Sequence, residues 1–177
     1  MKNVSPLIRV PARFGAIAGI LGFIIALVLY YIGKHPFLFP VYFDFRVILF
    51  AIFIYFSLRE YRDFYRDGVL YFWEGFIGSF IFVAVYAITV TICMAIFGTL
   101  QPEFLSTYIS LSIEQLKSIP PDVIERIGKD VYQRNLEILP ATTLNDMMQL
   151  YVVQSFIIGF FISIVLSVIL RRQPKNQ

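Results

Sequence analysis

The stretch Arg59-Glu60-Tyr61-Arg62-Asp63-Phe64-Tyr65-Arg66-Asp67-Gly68, running on into Val69-Leu70-Tyr71-Phe72-Trp73-Glu74-Gly75, decides how this chain is read. It is short, charged and aromatic, and long apolar runs flank it on both sides. Three arginines in so short a loop are an orientation signal, because Lys and Arg in short loops stay on the cytoplasmic side of a membrane. With that loop inside, both chain ends follow it there. The spacing of Arg59, Arg62 and Arg66 lines them along one face if a helix continues past the membrane, and Asp63 and Asp67 are placed to neutralise them. Such a face meets anionic headgroups, and Tyr71, Phe72 and Trp73 form an interfacial aromatic belt.

Composition points the same way. The chain has 177 residues, 58% hydrophobic and 15% charged, with mean hydropathy +0.73. Soluble domains carry about 25% charged residues and about 45–50% apolar ones, and the apolar excess here sits in long blocks, as lipid solvation demands. One cysteine excludes an intramolecular disulfide framework and a multi-cysteine metal site. The basic residues cluster at segment ends rather than in a run that would bind nucleic acid. The partners expected are the lipid bilayer and either another membrane protein or a second copy of this chain as a homo-oligomer, with no nucleic acid.

Towards the N-terminus lies a second span, about 41–58. Only Val47 to Leu58 is free of charge, too short to cross about 30 Å of hydrocarbon at about 1.5 Å per residue, so the helix must include Asp44 and Arg46. Two residues apart on a helix they do not face each other, so no simple pair is expected. The reading puts both at headgroup level with Arg46 snorkelling; the alternative turns one inward to line a polar site. Gly33 to Pro40 is a turn, blocked from helix by His35-Pro36 and Pro40. His35, the single histidine, is expected to be a solvated loop side chain rather than a ligand or base. The first span, about 14–32, is too long for a secretory h-region and lacks a small-x-small cleavage site, so it is retained. Ala12, Gly15, Gly19, Gly22 and Ala26 fall on one of its faces, where another backbone can approach closely.

Towards the C-terminus, Glu74 opens the third span, about 74–97. It is either solvated at the helix N-terminus, where the dipole favours it, or bound to an arginine such as Arg13 or Arg59. A proton-relay or substrate role is the alternative. Gly75, Gly78 and Ser79 begin a packing face, and Cys93 reads as an inert packing thiol. Residues 99–146 form the one substantial loop, with seven acidic and four basic side chains. Pro102 starts a helix carrying Leu105, Ile109, Ile113 and Leu116; Pro120-Pro121 ends it and starts another with an Ile124, Ile127 and Val131 stripe, which Pro140 closes. This helical hairpin lies on the outer surface, where it either caps the bundle or binds a partner. Thr143 to Asp146 resembles a capping box opening the fourth span, about 147–170, whose Ser155, Gly159, Ser163 and Ser167 repeat every four residues as a close-packing face.

The expected fold is therefore all-α: an integral membrane four-helix bundle with a two-helix extracytoplasmic loop, in one membrane domain. Charge supports the topology. Lys2, Arg9, Arg13, Arg59, Arg62, Arg66, Arg171, Arg172 and Lys175, nine of the fifteen Lys and Arg residues, lie inside.

A family resemblance enters on particular residues. Phe14-Gly15-x-x-x-Gly19 opening the first span, the Arg59-x-x-Arg62 exit from the second, and Gly68-x-Leu70-x-Phe72-x-Glu74-Gly75-Phe76 leading into the third resemble an uncharacterised family of small bacterial four-span membrane proteins, domain of unknown function forty-one ninety-nine. The helical outer loop and the dibasic end after the fourth span agree. The resemblance covers nearly the whole chain and implies a bacterial inner-membrane location. It brings no activity, cofactor or catalytic residue with it.

No hydrolase, kinase, metal or nucleotide motif is present, so the chain is read as a non-enzyme with no cofactor. The candidate polar or ion-pair positions are Asp44, Arg46, Arg59, Arg62 and Glu74. Two functions remain. One is an accessory or structural subunit that binds another membrane protein through its small-residue faces and outer hairpin. The other is an oligomeric small-solute transporter or channel-like protein with Asp44, Arg46 and Glu74 as polar contacts.

Overall fold

The computed structural model describes residues 5–40 and 43–173. Expectations for Lys2 and Lys175, and the start of the second span at 41–42, lie outside the described residues. Among those residues the chain is all-α, with seven helices: α1 (Pro6–Tyr31), α2 (Phe45–Tyr65), α3 (Phe72–Leu100), α4 (Glu103–Lys117), α5 (Pro121–Ile127), α6 (Lys129–Ile138) and α7 (Leu144–Leu170). Three of them, α1, α3 and α7, are long and apolar enough to cross a membrane. α2 falls short of that composition because Arg46 stands near one end and Arg59, Glu60, Arg62 and Asp63 crowd the other.

The four long helices pack in a ring. α1 lies against α3, α3 against α7, α7 against α2 and α2 against α1, with a slighter contact between α2 and α3. Glycine makes the two closest seams. A Cβ on Gly15 would stand 2.6 Å from the backbone oxygen of Phe82, one on Gly19 2.7 Å from Thr89, and one on Gly22 2.5 Å from the Tyr86 hydroxyl. Val83 fits against Gly159 in the same way, and Gly75 meets Ser167 across α3 and α7. The small-residue face of α1, and Gly159 and Ser167 of the α7 face, thus find a partner, α3, within the chain.

The distribution of residue types is inverted relative to a water-soluble protein. Ala18, Ala26, Ser79, Ser155 and Ser163 are inside with Phe50, Ile54, Phe82, Tyr86 and Met94, whereas Ile20, Ile24, Ile88, Ile92, Ile96 and Val168 point outward. Water would penalise so continuous an apolar exterior; hydrocarbon does not, and between helices in lipid close backbone contact is the main source of attraction.

Both chain ends meet the arginine turn. Arg9 donates to the Tyr65 hydroxyl at 2.9 Å, Arg13 pairs with Glu60, and Leu70 and Arg172 exchange backbone hydrogen bonds of 3.0 Å. The turn itself uses left-handed backbone at Asp67 and Gly68 (φ 48° and 79°). α1 begins at Pro6, well before the expected start at residue 14, and α2 runs on to Tyr65, so Arg59 and Arg62 are helical.

At the opposite end the segment between α3 and α7, expected as a two-helix loop, has three helices rather than two. Gly128 adopts φ 92°, which stops α5 and starts α6. Left-handed backbone there is accessible because glycine has no Cβ. The expected Ile124, Ile127 and Val131 stripe is consequently divided between two helices, and Ile127 and Val131 are exposed. α4 is tied down by Phe104 and Tyr108, both buried.

Candidate functional site

The most organised polar group is built on the start of α2. Asp44 is the N-cap, with extended backbone (φ −70°, ψ 124°), and its carboxylate accepts the Arg46 backbone N–H at 2.9 Å. Because Asp44 lies outside the helix, the same carboxylate also accepts Arg46 Nε at 2.9 Å and Nη2. The expectation that the two could not pair assumed that both were helical, and it is corrected. Arg46 is 2% exposed and Asp44 6%, so snorkelling is corrected too: the inward alternative holds.

α7 supplies the remaining acceptors. Nη1 donates to the Tyr151 carbonyl at 3.2 Å and to Ser155 Oγ at 2.9 Å, and Nη2 to Gln154 Oε1 at 2.9 Å. A guanidinium has five N–H donors, and each finds an acceptor within the chain. The charge also lies 4.3 Å from the centre of the Tyr151 ring, an attraction that strengthens on desolvation. The Tyr151 hydroxyl meets that of Tyr86 on α3 at 2.8 Å, and Tyr86 stands edge-on to Phe50. One arginine thus ties α2 to α7, and through Tyr151 to α3.

Aromatic side chains of the α1–α2 turn and α4 close this group at the end away from the arginine turn. Phe37 stacks on Tyr151 with ring centres 5.0 Å apart, Phe104 packs against Phe37, and His35 lies 4.7 Å from the Phe104 ring. His35 is 4% exposed. Its Nδ1 accepts the Phe37 N–H at 3.4 Å, leaving Nε2 to donate to the Phe104 carbonyl at 3.2 Å. Burial pushes its pKa down to about 4, against the opposing effect of that carbonyl. The solvated loop histidine is corrected to a neutral, buried one joining the α1–α2 turn to α4. The signal for this was in view, since His35, Phe37 and Phe39 make the turn aromatic beyond what solvent exposure suits.

Glu74 belongs to a separate cluster beside the arginine turn. Its Oε2 accepts the Tyr71 N–H at 3.2 Å, and its Oε1 pairs with Arg66 at 2.8 Å and accepts the Tyr61 hydroxyl at 3.4 Å. Of the two expectations, solvation at the helix N-terminus or an arginine partner such as Arg13 or Arg59, the arginine partner holds but it is Arg66: Arg13 holds Glu60 at 2.6 Å and Arg59 holds Asp63 at 3.5 Å. Arg62, buried, also pairs with Asp63 at 2.7 Å. Asp44 with Arg46 and Glu74 with Arg66 therefore sit at opposite ends of the interior and form no common site. Among the described residues no group of three or more His, Cys, Asp or Glu could hold a metal ion. A groove of about 850 Å³ opens between α4 and α6, walled by Tyr108, Leu116, Ile119 and Ile138 with Gln115 and Asn135.

The model of one protein family, described as "Protein of unknown function (DUF4199)", matches residues 13–172. No curated protein and no solved structure matches the chain.

Proposed function

The chain belongs to the DUF4199 family, and on that premise we propose that it is a four-span bacterial inner-membrane protein, with both ends cytoplasmic, that acts as an accessory subunit for another membrane protein rather than as a carrier or an enzyme. The observation that carries this reading is the saturation of Arg46. Its five N–H donors all have acceptors inside the chain, so a passing anion would have to displace internal partners before it could be held. A solute pathway needs polar groups that can exchange partners, and Arg46, the most buried charged side chain among the described residues, has none to offer.

Counting α2 as the fourth span fits its dimensions. Its 21 residues would reach about 31 Å at about 1.5 Å per residue, near the thickness of the hydrocarbon layer. Its outer charge is neutralised by Asp44, and its inner charges stand at the end shared by Arg9, Arg13 and Arg172. That clustering favours a cytoplasmic assignment for the end, since basic residues near span ends are retained inside.

The small-residue face of α1, with Gly159 and Ser167 of the α7 face, is occupied by α3, so a partner would dock elsewhere. The groove between α4 and α6, outside the membrane on this reading, is a shaped surface open to it. A photo-reactive amino acid at Gln115 or Asn135, and another at the lipid-facing Ile88, tests this in native membranes. The proposal expects a discrete protein adduct from the two groove positions and none from Ile88. Adducts of equal pattern from all three positions, or lipid adducts alone, would refute it.

A further inference from the structure

We infer that the inner half of the interior binds water, held by the hydroxyls of Ser57 on α2 and Ser163 and Ser167 on α7. All three side chains are buried, at 1%, 0% and 0% exposure, and none of their Oγ atoms has a hydrogen-bond partner in the chain. Helical serines can bond to the carbonyl one turn back, and two in the same interior do so: Ser79 to Gly75 O and Ser155 to Tyr151 O, each at 2.8 Å. Ser57, Ser163 and Ser167 have such carbonyls within reach of their own helices and do not use them.

The three lie within about one helical turn of depth, Ser57 and Ser163 level with Ser79, and Ser167 one turn nearer the arginine turn. Gly75 meets Ser167 and Val83 meets Gly159, which places Ser163 midway between those contacts and level with Ser79. Ser57 precedes Leu58, whose side chain packs on Gly78 of that same turn of α3. Ser57 also continues the buried line Arg46, Phe50, Ile54 and Tyr61 of α2, the line that faces the interior. Phe50, Ile54 and Phe82, fully buried, close this layer from the Arg46 group, and Tyr61, bound to Glu74, closes it from the inner end.

The chemistry selects water over an ion. The hydroxyls are neutral, each with one donor and two acceptor sites, and buried waters characteristically answer two to four otherwise unpartnered polar groups. The layer gives α2 and α7 a second polar junction beneath the Arg46 one. It stands independently of the accessory role proposed above.

Water-edited solid-state NMR of the full-length protein in phospholipid bilayers, labelled with carbon-13 serine and isoleucine, tests the inference without substitution. The account expects magnetisation to pass from water to the Ser57, Ser163 and Ser167 Cβ signals several-fold faster than to the methyls of Ile54 in the layer above. Rates equal to that of Ile54 would overturn it and leave the hydroxyls turned onto carbonyls. Ser163→Ala gives a second reading. Loss of bound water lowers the unfolding temperature by a few degrees, whereas removing a dry, unpartnered hydroxyl raises it or leaves it unchanged, which would also overturn the inference.

Discussion

Replacing Asp44 by alanine should be among the most damaging single changes in the chain. The carboxylate accepts the Arg46 backbone N–H, its Nε and its Nη2, so the substitution removes a helix cap and strands a guanidinium that is 2% exposed. Breaking a buried ion pair from one side costs about 3–5 kcal/mol, and losing an N-cap about 1 kcal/mol. Gln154, Ser155 and the Tyr151 carbonyl still hold part of the charge, so about 4 kcal/mol is expected overall. For a chain of this size that corresponds to a fall of about 10 °C in unfolding temperature. The double change of Asp44→Ala with Arg46→Met removes the stranded charge and replaces it with an apolar chain of similar length. It should recover at least half of the loss, since well-packed apolar substitutes for buried pairs are often nearly neutral. Thermal unfolding in a mild detergent, followed by helical circular dichroism, reads both. An Asp44→Ala protein within about 1 kcal/mol of the parent, or a double variant less stable than the single one, would refute the reasoning.

Gly15→Ala should cost about 1–3 kcal/mol, because the added methyl meets the backbone oxygen of Phe82, which cannot rotate away; the same unfolding assay measures it. His35 is neutral in the folded state, with a pKa of about 4 against an ordinary 6.5. Its contribution is therefore complete above pH 6.5 and lost as the pH falls from 6.5 towards 4, by at most about 3 kcal/mol. His35→Phe should flatten the unfolding temperature across that window, and an unchanged pH profile would contradict the assignment. Arg66→Ala should cost less than about 1 kcal/mol, since its pair with Glu74 is partly exposed and screened. Gly128→Ala should raise hydrogen exchange in α5 and α6 while leaving α1, α3 and α7 protected, because φ 92° is strained for any residue with a Cβ.

α1, α3 and α7 were legible in the sequence because lipid imposes length and composition on them. The glycine line of α1 and the serine and glycine line of α7 were legible as faces for the same reason, but not their common partner. That depends on ring order, which pairwise spacing does not encode. Asp44 and Arg46 were misjudged for a different cause. A residue at an N-cap leaves helical geometry, so the rule that side chains two apart cannot meet does not apply to it. The Glu74 partner was mistaken because Arg66 returns through the turn at Asp67 and Gly68, whose left-handed backbone a periodicity argument does not anticipate. Gly128 was a readable stop signal between α5 and α6, and the Ile124, Ile127 and Val131 pattern obscured it. His35 shows how tertiary burial overrides the general solvation of loops.

The central claim is that α2 crosses the membrane although its composition alone would not place it there. Single cysteines in a Cys93→Ser background, at the exposed positions Lys34 before α2 and Phe64 near its end, test it with a membrane-impermeant maleimide. Labelling of Lys34→Cys in intact cells, with Phe64→Cys labelled only after the membrane is opened, is the predicted result. Labelling of both positions from the same side would contradict the account.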